Sequence, residues 1–213
     1  MSNTKKKLAV LVSGSGTNFQ AIINAIKSGD LPDTEISVVI SNKKEAYALK
    51  RAETENIKNI FVNPKDFSSN TDFDKKLVGI ISDYHVDLIV LAGYTKILTS
   101  FFVNTFSNKI INIHPALLPD FGGKGMYGHK VHEAVLKSGI KESGCTIHFV
   151  TTEVDTGPII AQKKVPVIEN DNVETLSKRI LKEEHKLLVE AINKVLSISR
   201  HCEEQSDEAI SKT

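Results

Sequence analysis

The stretch Leu8-Ala9-Val10-Leu11-Val12-Ser13-Gly14-Ser15-Gly16-Thr17-Asn18-Phe19 decides the fold. Its apolar run reads as a buried strand, and the two glycines after it let the backbone turn sharply. Phe19, Ile22, Ile23 and Ile26 then recur at the i, i+3, i+4, i+7 spacing of a helix with one apolar face. Working outward, Glu35–Ser41, Asn59–Val62, Asp87–Ala92 and Lys109–Ile113 repeat the short buried-strand pattern, with less regular helical stretches near 44–55 and 71–84. Such β-α-β alternation predicts an α/β fold with a doubly wound, mostly parallel, Rossmann-like sheet.

After Pro119 the pattern changes. A glycine-rich loop over 121–128 leads to a helix near 129–137 and two strands, Cys145–Val150 and Ile159–Val165, which are expected as antiparallel additions to the sheet. A long helix follows from about Asn172 to Leu196, with Leu176, Ile180, Leu187, Leu188, Ala191 and Val195 facing inward. Glu184 falls inside that stripe, so its carboxylate must be paired or must face a cleft. The chain divides into one domain, 1–197, and a polar tail, 198–213, expected to be loosely ordered.

Length and charge exclude several classes. At 213 residues the chain can bury a sizeable core in a single domain. Lys plus Arg is 27 against 26 Asp plus Glu, so a net charge of +1 makes no electrostatic case for nucleic acid. Cys145 and Cys202 are too few for a disulfide framework and fit free thiols. The apolar run after Lys5-Lys6-Lys7 is too short for a signal peptide. No run approaches the roughly 20 residues that span a bilayer. A cytoplasmic protein without membrane attachment is expected.

The chemistry-bearing candidates lie at strand ends. In Ile111-Asn112-Ile113-His114-Pro115, Asn112 and His114 sit two apart and leave the same face of a strand. Pro115 cannot continue the ladder, which puts the imidazole at the strand's end, where α/β proteins place their sites. An amide donor beside a titratable imidazole suits a developing oxyanion; two satisfied core side chains would read the same way.

The Ser13–Asn18 loop is either a bare tight turn or the seat of one phosphate group at a helix start. Phe19 stands at the third-glycine position of a dinucleotide fingerprint, and the second strand closes on Ser41-Asn42 without an acid, so a dinucleotide is a poor fit. Val154-Asp155-Thr156-Gly157-Pro158 is an ordinary turn by composition. Its carboxylate would raise the pKa of His114 if the loop folds beside it. The glycine-rich segment 121–128 reads as a mobile flap or a passive connection. His114, His129, His132 and His148 lack the spacing of a metal site, so no metal is expected, and His148 reads as a structural histidine in its strand.

Taken together, Gly14-Ser15-Gly16-Thr17-Asn18, Leu91-Ala92-Gly93-Tyr94, Asn112-Ile113-His114-Pro115 and Val154-Asp155-Thr156-Gly157-Pro158 resemble the phosphoribosylglycinamide formyltransferases, within the folate formyltransferase superfamily. The similarity runs from about residue 7 to 197. It implies the formyltransferase fold and two substrates, glycinamide ribonucleotide and 10-formyltetrahydrofolate. The folate is a cosubstrate, and no cofactor is bound. The resemblance implies Asn112, His114 and Asp155 as the catalytic set. It implies Gly16, Thr17, Asn18 and Glu184 at glycinamide ribonucleotide, and Thr95, Lys96, Ile97 and Leu98, with Asn112, at the folate. Asn70 stands where a basic folate contact is expected. The resemblance further implies a monomer or homodimer. The alternatives are another formyl-folate enzyme, such as a formyltetrahydrofolate hydrolase or a sugar N-formyltransferase, and a non-catalytic nucleotide-binding module.

Overall fold

The computed structural model describes residues 5–210, with side chains through Ile198. Seven strands form one sheet: β1 (Lys6–Val12), β2 (Thr34–Ser41), β3 (Asn59–Phe61), β4 (Leu88–Leu91), β5 (Ile110–His114), β6 (Glu142–Phe149) and β7 (Ile159–Pro166). Their order is β3-β2-β1-β4-β5-β6-β7. The five from β3 to β5 are parallel, whereas β6 runs antiparallel to both β5 and β7. The helices are α1 (Thr17–Ser28), α2 (Tyr47–Thr54), α3 (Asn70–Asp83), α4 (Ser100–Thr105), α5 (His129–Ser138) and α6 (Val173–Ile210).

The continuous apolar runs of β1 and β4 follow from covering both faces of the sheet. Leu8, Val10 and Val12 pack with Phe19, Ile22, Leu176, Ile180 and Leu188, from α1 and α6. The alternate residues Ala9 and Leu11 pack with Phe73, Leu77, Ile81 and Phe102, from α3 and α4. Each such side chain, removed from water, contributes about 1.5–3 kcal/mol against the entropy of ordering the chain.

The mixed sheet matches the predicted architecture, with differences at the edges of elements. β6 begins at Glu142, three residues before the apolar pattern suggests. Gly144 allows this, because a Cβ there would run into the Lys163 carbonyl of β7. α4 is six residues long, too short to show a helical period, and is held by its buried Phe102 and Val103.

α6 continues to Ile210, past the Leu196 where its apolar stripe ends. The expected tail thus falls partly on α6 backbone, and residues 211–213 lie outside the described residues. Leu196 is the last buried apolar side chain among the described residues, and Ile198 is exposed. Truncation after Ser197 is therefore expected to shift the melting temperature by no more than about 2 °C, measured by calorimetry. A larger drop would mean that the end of α6 docks on the domain or on a second copy.

Candidate active site

β5 delivers Asn112 and His114 to one face of its carboxyl end, and β6 lies antiparallel beside it with Asn112 opposite His148 and His114 opposite Thr146. Asp155, on the turn between β6 and β7, reaches back between the two imidazoles. Its Oδ2 is 3.6 Å from His114 Nδ1, and its Oδ1 is 3.5 Å from His148 Nε2. The Gly123 N–H also donates to Asp155 Oδ2, at 2.9 Å. Gly157 permits this turn, since a Cβ there would collide with the Phe149 carbonyl.

The hydrogen bonds constrain the protons. His148 Nδ1 donates to its neighbour's carbonyl, Phe149 O, at 2.9 Å. Asn112 Nδ2 lies 3.1 Å from His148 Nε2, and the second N–H of that amide is left for a ligand. His114 Nε2 donates to Phe121 O at 2.9 Å. Burial pushes the His114 pKa below its ordinary value, while Asp155 and Phe121 O pull it up. The expectation that Asp155 raises this pKa is corrected to that extent: its effect has the expected sign, and desolvation of a side chain 3% exposed outweighs it. Burial raises the Asp155 carboxyl, but the nearness of His148 and the charge of His114 more than offset that and hold it below the usual range.

At the other end of the cleft, Glu184 of α6 is 7% exposed, as its place in the apolar stripe requires. Its Oε2 accepts from Asn18 Nδ2 at 2.7 Å, in the first turn of α1. Burial raises the Glu184 pKa, against the smaller effect of Asn18. Asn18 Oδ1 is buried without a partner, so this corner carries more hydrogen-bonding capacity than the protein uses.

The third wall is the segment Thr95–Leu98 after β4. The Thr95 N–H donates to Ser13 Oγ at 2.9 Å, and that hydroxyl donates to Asn42 Oδ1 at 2.6 Å. The buried Asp74 of α3 holds the far end by accepting from Thr99 N and Thr99 Oγ1, both at 2.6 Å. Lys96 Nζ donates to Asn70 Oδ1 at 2.6 Å, so Asn70 acts here as the acceptor for Lys96.

These walls enclose one cavity of about 480 Å³. It gathers Thr17, Asn18, Thr95, Lys96, Ile97, Leu98, Asn112, His114, Asp155 and Glu184 from the expected site, with the flap residues Gly123–Gly128 over it. Gly16 does not line it. That residue is packed against α2 at φ 71°, where a Cβ would meet Ala48 Cβ at 2.6 Å.

Sequence reasoning missed two residues. His148 belongs to the Asp155 cluster, and only the pairing register of β5 with β6 reveals it. His132 of α5 also lines the cavity, 4% exposed and with Nδ1 unpartnered. Its position beside Val131, on the inward side of α5, was the available signal.

Burial, with the charges of His129 and His114, lowers the His132 pKa from 6.5 to about 4. The unfolded chain takes up this proton near pH 6.5 and the folded one only near pH 4, so folding stability falls as pH drops through that window. His132→Asn is expected to remove about 2 kcal/mol of that pH dependence, read from denaturant unfolding at pH 7 and pH 4.5. Equal slopes in the two proteins would show that His132 titrates alike folded and unfolded.

The formyl transferase family matches residues 6–192. The chain is 45% identical over 203 residues to the chloroplastic phosphoribosylglycinamide formyltransferase of Arabidopsis thaliana, covering 94% of this chain and 67% of that protein. It is 43% identical over 197 residues to the trifunctional purine biosynthetic protein adenosine-3 of Gallus gallus, covering 92% of this chain and 19% of that one. The crystal structure of glycinamide ribonucleotide transformylase 1 from Symbiobacterium toebii superposes with a TM-score of 0.84 at 42% identity, over 91% of this chain and 88% of the other. The chain thus spans about two thirds of the plant relative and about a fifth of the avian one. With the family match running through all seven strands and the first half of α6, the chain belongs to the formyl transferase family.

Proposed function

We propose that this protein transfers the formyl group of 10-formyltetrahydrofolate to the amine of glycinamide ribonucleotide, in the de novo synthesis of purines. The observation that carries this reading is the convergence of three unlike walls on one cavity: the Asn112–His114–Asp155 cluster, the Asn18–Glu184 corner and the Thr95–Leu98 segment. The relatives' names point to the same substrates. The folate lies along Thr95, Lys96, Ile97 and Leu98, its formyl group beside Asn112. The phosphate of glycinamide ribonucleotide lies on the amides of Gly16, Thr17 and Asn18, with Glu184 taking its ribose hydroxyls or ammonium.

The chemistry follows from the donors. The substrate ammonium first loses a proton to solvent, and the neutral amine then attacks the formyl carbon while the carbonyl electron pair moves onto oxygen. Asn112 Nδ2–H and His114 Nε2–H donate to that oxygen, each worth about 3–4 kcal/mol in the transition state. His114 Nε2–H now serves Phe121 O, so binding of the formyl group requires the flap to release it. Asp155 faces the opposite edge of the ring and stabilises the imidazolium as negative charge grows on the oxygen. As the oxyanion collapses and the carbon–N10 bond breaks, the attacking nitrogen gives up its second proton, which reaches N10 through water near Asp155.

The catalytic unit is residues 1–197, acting as a monomer or homodimer in the cytoplasm. Among the described residues no helix is long and apolar enough to cross a membrane.

The test is formyl transfer from 10-formyltetrahydrofolate to glycinamide ribonucleotide, with water and sugar nucleotides as control acceptors. Transfer to a control acceptor alone would replace this reading with a hydrolase or a sugar N-formyltransferase. His114→Ala and Asp155→Asn are each expected to lower kcat roughly a hundredfold or more with KM little changed, by steady-state assay. Near-normal turnover in a folded variant would remove that residue from the mechanism. Glu184→Ala is expected to raise KM for glycinamide ribonucleotide about ten- to a hundredfold through loss of a charge-assisted contact, and to leave the folate KM unchanged. Selective loss of folate affinity would reverse the two halves of the cleft.

A further inference from the structure

The loop Gly14-Ser15-Gly16 contains little to hold its own shape. It has two glycines, and α1 starts at Gly16 without a side-chain cap. The restraint comes from α2. The Ala48 N–H donates to Gly14 O at 3.1 Å. The Arg51 guanidinium spans the gap: Nε donates to Ser15 O at 2.9 Å, and Nη1 donates to Gln20 Oε1 of α1 at 2.9 Å. The same guanidinium lies over the Tyr47 ring, 5.0 Å from its centroid. The Ala48 methyl occupies the space that a side chain at Gly16 would need.

A trans peptide plane points its C=O and the following N–H in opposite directions. With the Gly14 and Ser15 carbonyls both drawn toward α2, the N–H groups of Ser15 and Gly16 point away from it. They thereby extend the row of free amides at the start of α1. An oxygen held by a planar, two-point cation cannot rotate as freely as one solvated by water.

We propose that Arg51 is the positioning residue of the phosphate cradle: it locks the Ser15 carbonyl outward, aims the loop amides at the substrate phosphate and adds a positive charge at their back. The inference rests on the substrate assignment of the preceding subsection. Its consequence is that part of the affinity for glycinamide ribonucleotide is set from α2, by a side chain outside the main cavity.

The test compares Arg51→Met and Arg51→Lys with the parent in steady-state formyl transfer, together with calorimetric binding of ribose 5-phosphate. Arg51→Met is expected to raise KM for glycinamide ribonucleotide roughly ten- to thirtyfold and to weaken ribose 5-phosphate by a similar factor. The folate KM and kcat should stay within about twofold of the parent. Lysine keeps the charge but cannot serve Ser15 and Gln20 as a planar fork, so Arg51→Lys should restore about half of the lost affinity on a logarithmic scale. An unchanged KM for glycinamide ribonucleotide, or an equal rise for both substrates, overturns the proposal and leaves Arg51 as a stabilising contact of α2. If Arg51→Met does not fold, Arg51→Lys alone decides, since parent-like affinity for ribose 5-phosphate there would also overturn it. Failure of the parent to formylate glycinamide ribonucleotide would instead sink the substrate assignment, while a loss of ribose 5-phosphate binding in Arg51→Met would still support the latch.

Discussion

The arrangement of the site depends on one half-buried carboxylate held between two imidazoles. Asp155 is within 3.6 Å of a ring nitrogen of both His114 and His148 and accepts a third contact from Gly123 N. An ionised carboxylate removed from water is costly unless nearly every lone pair is used. Satisfying it fixes the relative positions of β5, β6, the turn before β7 and the flap at once. Asp155 itself sits at φ 58°, a left-handed conformation that most residues avoid. The neighbouring Gly157, packed on the Phe149 carbonyl, and the three polar contacts hold it there.

The two halves of the sheet make different contributions. The parallel half brings the ends of β1, β2, β4 and β5 to one edge, where Ser13, Asn42 and Thr95 are joined by hydrogen bonds. Ser13 is the joint between two of the cavity's walls: its hydroxyl ties the start of the glycine loop to the Thr95 amide. The antiparallel half supplies the partner of Asn112 on the other edge of β5. That side chain, His148, orients the Asn112 amide so that its remaining N–H is a donor with a defined direction.

Two carboxylates in one cavity are driven in opposite directions. Asp155 has its carboxyl pKa depressed through His148 and His114, so it remains an anion between the two imidazoles. Glu184, with only Asn18 to oppose desolvation, has its pKa raised. A cation or a hydroxyl arriving at Glu184 relieves that desolvation, which turns an unfavourable burial into affinity for a ligand of matching chemistry. Asn18 joins this corner to the first turn of α1, so the acid and the loop amides lie beside one another.

Much of this was legible along the chain because the relevant signals are local. Strand and helix periods, the glycine turn after β1, the two-residue spacing of Asn112 and His114, and an acid inside the apolar stripe of α6 each depend on residues within a few turns of one another. That range sufficed for the α/β class, the antiparallel end of the sheet and, as candidates, the Ser13–Asn18 loop, Asn112, His114 and Glu184. The tertiary structure alone decided the rest. No pattern within β6 can reveal which of its residues lies opposite Asn112, because register is set by packing across the sheet. The same holds for His132, for Arg51 reaching from α2 to the Ser15 carbonyl, and for the pKa of His114, where desolvation by distant segments outweighs the nearby charge. Contacts between residues tens of positions apart and the loss of water around a group are properties of the packed chain, and a linear sequence carries neither directly.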